Sequence, residues 1–243
     1  MIEHNIDIKT KDGMMNTFIT HPEAGGPHPV ILFLMDAPGK REELHDMARR
    51  IATVGYYVIL PNLYYRTVRE FELVRDEGGM KRMFELLASI PNDLVMEDVG
   101  AMLAYADMQA AARKGKVGVV GYCMSGPFAF MAASRHADRV EVSASIYGAG
   151  LLTDKADSPH LFAGGIKGEM YFACAEIDRY APQEQINALE KHLSGLKVNH
   201  RIEWYPGAEH GFAFPQRTGI YHKPSAERHW ERLFEMFHRN LQP

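Results

Sequence analysis

Short unbroken apolar runs alternate along this chain with stretches whose apolar positions recur about every three to four residues, a rhythm of strand then helix. Val30 to Met35 is continuously apolar, as a strand covered on both faces must be. Residues 41–54 then place Leu44, Met47, Ala48, Ile51 and Ala52 on one helical face, Gly55 ends the pattern, and Tyr56 to Leu60 reads as the next buried strand. This β-α-β order calls for a parallel sheet with a right-handed crossover. Ahead of it, residues 4–9 and 14–20 alternate polar and apolar around Lys11-Asp12-Gly13, the pattern of a hairpin at the sheet's edge.

The rhythm breaks over residues 62–93, where Tyr64, Tyr65, Phe71, Met80, Met83 and Phe84 are scattered among charges around Gly78-Gly79. That segment is expected to be an excursion over the end of the sheet. Residues 94–113 predict a helix ended by Gly115, and a central strand follows over 116–121. Further strands are expected at 142–147, 169–175 and 198–205, with a helix opened by Pro182 and an amphipathic helix over about 225–241. No repeat or composition shift divides the chain, so the expectation is one doubly wound α/β domain over 1–243.

Composition narrows the class without changing it. Hydrophobic residues make up 46% and charged residues 24%, the balance of a globular protein. A net charge of −4 with no basic patch argues against a nucleic-acid partner, and no apolar run is long enough to span a membrane. The first residues lack the pattern of a secretory signal, so a cytoplasmic protein is expected, with Cys123 and Cys174 as free thiols. The 12 histidines show no His-Glu-x-x-His spacing, and no Walker or G-x-G-x-x-G loop occurs. Neither a metal nor another cofactor is therefore expected. The expected partner is a small molecule, and the chain is taken as a monomer or homodimer.

Candidate chemistry concentrates where the central apolar run, Val117 to Val120, gives way to Gly121-Tyr122-Cys123-Met124-Ser125-Gly126. A strand passing into a helix through so tight a turn lifts its apex side chain above the sheet, and Cys123 is that apex. In open α/β sheets, ligands bind beyond the carboxyl ends of the strands, and Asp36, Cys123, Asp178 and His210 all follow predicted strands. The last three stand in the order nucleophile, acid, histidine, that of an α/β-hydrolase triad. His210 would move the thiol's proton, and Asp178 would fix the imidazole. The backbone N–H of Met124, with another from the Asp36-Ala37 loop, would form an oxyanion hole.

At these residues the chain resembles the dienelactone hydrolase family of cysteine α/β-hydrolases. The matching stretches are Gly121 to Gly126, Ala175-Glu176-Ile177-Asp178 with Pro182, Gly207 to Phe212, Pro61-Asn62-Leu63-Tyr64 and Tyr147-Gly148. The resemblance spans nearly the whole chain and implies hydrolysis of a lactone or small ester through a thioester intermediate. It departs from the family at Asp36, where the best-known members carry a glutamate that contacts the resting thiol. It departs again at Phe214, where enzymes that clamp a dienelactone carboxylate have an arginine.

Blander readings stand beside these. Cys174 lies inside an apolar strand and reads as core, Ser125 as the start of the next helix, and Asp36 either as a satisfier of loop amides or as a contact of the thiol. Glu176 and Asp154 are rivals of Asp178 for the acid. Tyr64 and Tyr147 read as pocket walls, and Arg66 and Arg69 either as solvated or as holders of a substrate carboxylate. From another class, the rival function is a non-catalytic small-molecule binder or thiol redox sensor on the same fold.

Overall fold

The computed structural model describes residues 1–242. The apolar runs become strands β1 (Ile2–Lys9), β2 (Met14–His21), β3 (His28–Leu34), β4 (Tyr57–Pro61), β5 (Ala112–Tyr122), β6 (Val140–Ile146), β7 (Glu169–Ile177) and β8 (His200–Glu209). Between them lie helices α1 (Glu42–Thr53), α2 (Glu77–Ala88), α3 (Asn92–Asp107), α4 (Gly126–Arg135), α5 (Gln183–Gly195) and α6 (Lys223–Leu241). The strands form a mostly parallel sheet in the order β1-β2-β4-β3-β5-β6-β7-β8, with the β1–β2 and β2–β4 pairs antiparallel. No helix among the described residues is long and apolar enough to cross a membrane.

The fold resolves into two compact units, Met1–Val117 and Gly118–Gln242. In the first, the β1–β2 hairpin opens the sheet, and β3 pairs parallel with β4 as the β-α-β pattern requires. Every residue of β3 is buried, which accounts for its unbroken apolar run. The α1 face of Leu44, Met47, Ala48, Ile51 and Ala52 is buried, as its spacing predicts. In the second unit, β6, β7 and β8 pair parallel in sequence. Here α4 packs on β6, while α6 buries Trp230, Leu233 and Phe237 and packs on β6 and β8.

Three expectations need correction. Residues 62–93 are not irregular throughout, because they contain α2, capped by the Asp76 carboxylate on the Gly79 N–H at 2.7 Å. Gly78-Gly79 lies in its first turn, where glycine costs little and a Cβ at Gly79 would strike the Val74 carbonyl. The helix expected over 94–113 stops at Asp107, and Met108, its C-cap, is exposed. The strand starts sooner, at Ala112, so the polar residues Arg113, Lys114 and Lys116 form the solvated start of β5 and not the tail of a helix. Finally, β7 and β8 run past their expected ends, since the pairing resumes after a bulge at Ala175/Ile177 and sets Ile177 opposite Glu209.

A buried ion pair closes the first unit. Arg66 donates from Nη1 and Nη2 to Asp98 Oδ2 and Oδ1 at 2.8 and 2.9 Å and from Nε to Asp12 at 2.7 Å, while Tyr65 O–H donates to Asp98 at 2.9 Å. The Asp98 side chain is wholly buried. Burial pushes its carboxyl up despite the guanidinium beside it, so the pair costs desolvation and holds only while its bonds are complete. Replacing Arg66 by Met strands that carboxylate, and the expected loss is about 3 kcal/mol in denaturant unfolding. Adding Asp98→Asn should recover part of that loss. A loss below about 1 kcal/mol in Arg66→Met would show the pair to be incidental.

Candidate functional site

The apex residue Cys123 directly follows β5 with φ of 54°, a left-handed conformation that a non-glycine residue holds only under constraint. The constraint is steric. A Cβ at Gly121 would lie 2.0 Å from the Ser125 carbonyl oxygen, and one at Gly126 would lie 2.3 Å from the Gly148 Cα, so neither position accepts a side chain. The Ala149 N–H donates to the Cys123 carbonyl at 3.1 Å and ties the turn to the loop after β6. Cys123 is partly exposed, whereas Cys174 is buried in β7 and its thiol is pushed up to about 12, chiefly by burial. Ser125 is fully buried at the start of α4, and its hydroxyl makes no capping bond there.

Strand register brings the acid and the histidine together. Because β7 and β8 are parallel and Ile177 faces Glu209, the next residue of each strand, Asp178 and His210, must emerge side by side. His210 Nδ1 lies 2.8 Å from Asp178 Oδ2. The other carboxylate oxygen accepts the N–H groups of Tyr180 and Ala181 at 2.8 and 3.2 Å, which fixes its orientation. Of the two rivals, Glu176 accepts the Gly207 N–H at 2.7 Å, and Asp154 is exposed near His160.

His210 is enclosed by rings. Tyr147 meets it edge-on at a centroid distance of 5.1 Å, and Tyr180 lies against it at 4.8 Å. Burial lowers its basicity, but bonding and charge attraction from Asp178 and Cys123 outweigh that and raise its pKa to about 9. Nε2 is buried with no partner in hydrogen-bond geometry, so the influence of Cys123 is that of a nearby sulfur and not of a formed bond. Tyr180 carries no sequence motif, and nothing in the chain before folding marks it. It is 42% exposed, and its hydroxyl accepts from Arg179 at 2.6 Å.

The remaining candidates scatter into other duties. Phe214 is fully buried, with Tyr122 and Tyr147 at centroid distances of 5.6 and 6.1 Å. Tyr64 is likewise buried and donates its O–H to the Ala37 carbonyl at 2.9 Å. Asp36 is held by Arg41 through bonds of 2.5 and 3.3 Å, and its carbonyl accepts the Gly39 N–H at 3.0 Å. Arg41 also reaches Glu43 at 2.7 Å, and although burial works against its charge, the two carboxylates hold it protonated. Asp36 is thus a charge-paired group and not merely a satisfier of loop amides. Arg66 is committed to Asp98 and Asp12, and Arg69 pairs with Asp7 at 2.9 Å. Those acids, distant in sequence, occupy both guanidiniums that the sequence offers for a substrate carboxylate.

Comparison with known proteins identifies the family. The Dienelactone hydrolase family matches residues 15–241. A protein of Synechocystis sp., provisionally named carboxymethylenebutenolidase, is 29% identical over 227 residues, covering 92% of this chain and 91% of its own. The carboxymethylenebutenolidase of Pseudomonas putida is 26% identical over 234 residues, covering 96% and 95%. In fold, the crystal structure of a provisionally named dienelactone hydrolase from Klebsiella pneumoniae subsp. pneumoniae superposes with a TM-score of 0.87 over 97% of this chain and 98% of its own, at 23% identity. With the family matched over nearly its whole length and the sheet that of an α/β-hydrolase, this chain belongs to the dienelactone hydrolase family and is a hydrolase.

Proposed function

We propose that this protein cleaves a small lactone or carboxylic ester with Cys123 as nucleophile, His210 as general base and acid, and Asp178 as the group that orients the imidazole. The observation that carries the reading is the 2.8 Å contact of His210 with Asp178, on a ring raised to about 9 with Cys123 among the causes. The reacting form in this mechanism is a thiolate beside a protonated imidazole. The sulfur attacks the carbonyl carbon, and the C–O bond breaks as the leaving oxygen takes the imidazolium proton. The acyl group remains as a thioester. His210 then removes a proton from water, the hydroxide attacks the thioester, and the C–S bond breaks to release the acid.

In this reading the N–H of Met124, at the start of the turn after Cys123, donates to the developing oxyanion. The chain works as one α/β-hydrolase domain in the reducing cytoplasm, where a free Cys123 persists. The match to a hydrolytic family weighs against the binder or redox-sensor alternative.

Cys123→Ala should abolish hydrolysis of p-nitrophenyl acetate, and adding His210→Ala should cost little more, because groups acting in one step give non-additive losses. Iodoacetamide should alkylate Cys123 near pH 6.5 faster in the wild type than in His210→Ala. Equal rates, or losses that multiply in the double variant, would place His210 outside the reaction.

The raised pKa also predicts a pH dependence. A histidine whose folded pKa of about 9 exceeds its ordinary value stabilises the fold fully below about 6.5, and that contribution is lost as pH rises through about 9. Wild type minus His210→Gln should therefore show an unfolding free-energy difference that falls by on the order of 3 kcal/mol between pH 6 and pH 10. A difference that stays flat over that range contradicts a protonated His210.

With Phe214 buried and Arg66 and Arg69 paired to acids, neutral esters should compete well with anionic ones. Comparing kcat/KM for an anionic substrate and its neutral isostere, in the wild type and in Arg66→Ala and Arg69→Ala, tests this. A strong preference for the anion that survives both substitutions would mean another cation holds it.

A further inference from the structure

A buried histidine that the proposed chemistry does not use stands behind both halves of the site. His229 lies in α6, in the second unit, and is fully buried. Its Nδ1 is bonded to the Ala226 carbonyl, and its Nε2 is 3.0 Å from the Tyr122 hydroxyl. A carbonyl can only accept, so Nδ1 carries the hydrogen, and in the neutral ring Nε2 accepts from the Tyr122 O–H. Tyr122 is the residue immediately before Cys123. The same imidazole meets Phe212 edge-on at a centroid distance of 6.0 Å, and Phe212 is two residues beyond His210.

One side chain therefore contacts the residue before the nucleophile and a residue two positions beyond the base. The rings around it complete the connection: Tyr147 is 5.1 Å from Phe212, 5.9 Å from Tyr122 and 5.1 Å from His210. A packed aromatic cage of this kind transmits small displacements, because the interior has no voids to absorb them. The hydrogen bond adds direction, since it permits one orientation of the Tyr122 ring against α6. Fixing Tyr122 fixes the strand end from which the strained Cys123 turn begins.

We propose that His229 is a positioning residue of the hydrolase, setting through its bond to Tyr122 the separation of Cys123 from His210. The inference rests on the thiol mechanism proposed above. His229 itself touches neither the substrate nor the reacting atoms.

The test uses p-nitrophenyl acetate hydrolysis and iodoacetamide alkylation at pH 6.5, with Tm recorded for each protein. Tyr122→Phe removes a single oxygen and keeps the ring, so it provides a folded variant even if His229→Leu fails. Both should lower kcat about ten- to a hundredfold with KM within about twofold, since sub-ångström misplacement affects the reacting geometry more than binding. Both should also slow Cys123 alkylation toward the His210→Ala rate. Tyr122→Phe combined with His229→Leu should be no slower than the worse single variant. His229→Gln, whose amide oxygen reaches the place of Nε2, should retain most of kcat. Variants with wild-type kcat and alkylation but a lowered Tm would overturn the proposal, as would losses that multiply in the double variant. If alkylation of the wild type is already independent of His210, the thiol mechanism falls and this inference with it. If that dependence is intact and the variants match the wild type, only the positioning role is lost.

Discussion

A buried imidazole gives up its proton unless an anion stands against it, and the site depends on that requirement being met at one contact. His210 Nδ1 and Asp178 Oδ2 are 2.8 Å apart, with the rings of Tyr147 and Tyr180 against the imidazole. Desolvation alone would favour the neutral ring, but the carboxylate and the neighbouring sulfur reverse the balance. Asp178 can do this because it is itself held by two backbone N–H groups, so its charge does not turn away toward water. The contact is a product of strand register. A shift of one residue in the β7–β8 pairing would part the two side chains, and the bulge at Ala175/Ile177 is where that register is set.

Cys123, the proposed nucleophile, is placed by a different force. At the turn after β5, backbone atoms approach so closely that only glycine fits at Gly121 and Gly126, and the strain is carried by Cys123. Steric exclusion of this kind is short-ranged and leaves a local sequence trace, whereas the ionic contact joins residues 32 apart in sequence. Both must hold for a sulfur and an imidazole to meet. The cage of Tyr122, Tyr147, Phe212 and His229 packs together residues next to each of them.

That difference in range explains what was legible beforehand. The buried strands were, because full burial demands an unbroken apolar run, as in β3. The turn at Cys123 was, because small residues around an apex have few other uses. Asp178 and His210 could be singled out because both follow a strand, although their bond lengths depend on a bulge that no residue type announces. The helix α2 was hidden by Gly78-Gly79 and by exposed Phe84, which disrupts its apolar face. The start of β5 was hidden because solvated Arg113, Lys114 and Lys116 look alike on a helix and on a strand. Tyr180 left no trace because ring packing against His210 requires only proximity.

Arginines were the least legible residues, and the reason is general. A guanidinium in a polar segment reads as solvated or as a ligand holder, since its carboxylate partner can come from anywhere in the chain. Arg66 finds Asp98 and Asp12, and Arg41 finds Asp36 and Glu43. For Asp98, which is wholly buried, a substrate carboxylate drawing Arg66 away would leave an unpaired buried charge behind. The energy gained at the substrate would then have to exceed that penalty. A cation already committed to a buried acid is in this way a poor holder of a transient anion, even when the sequence places it in the right segment.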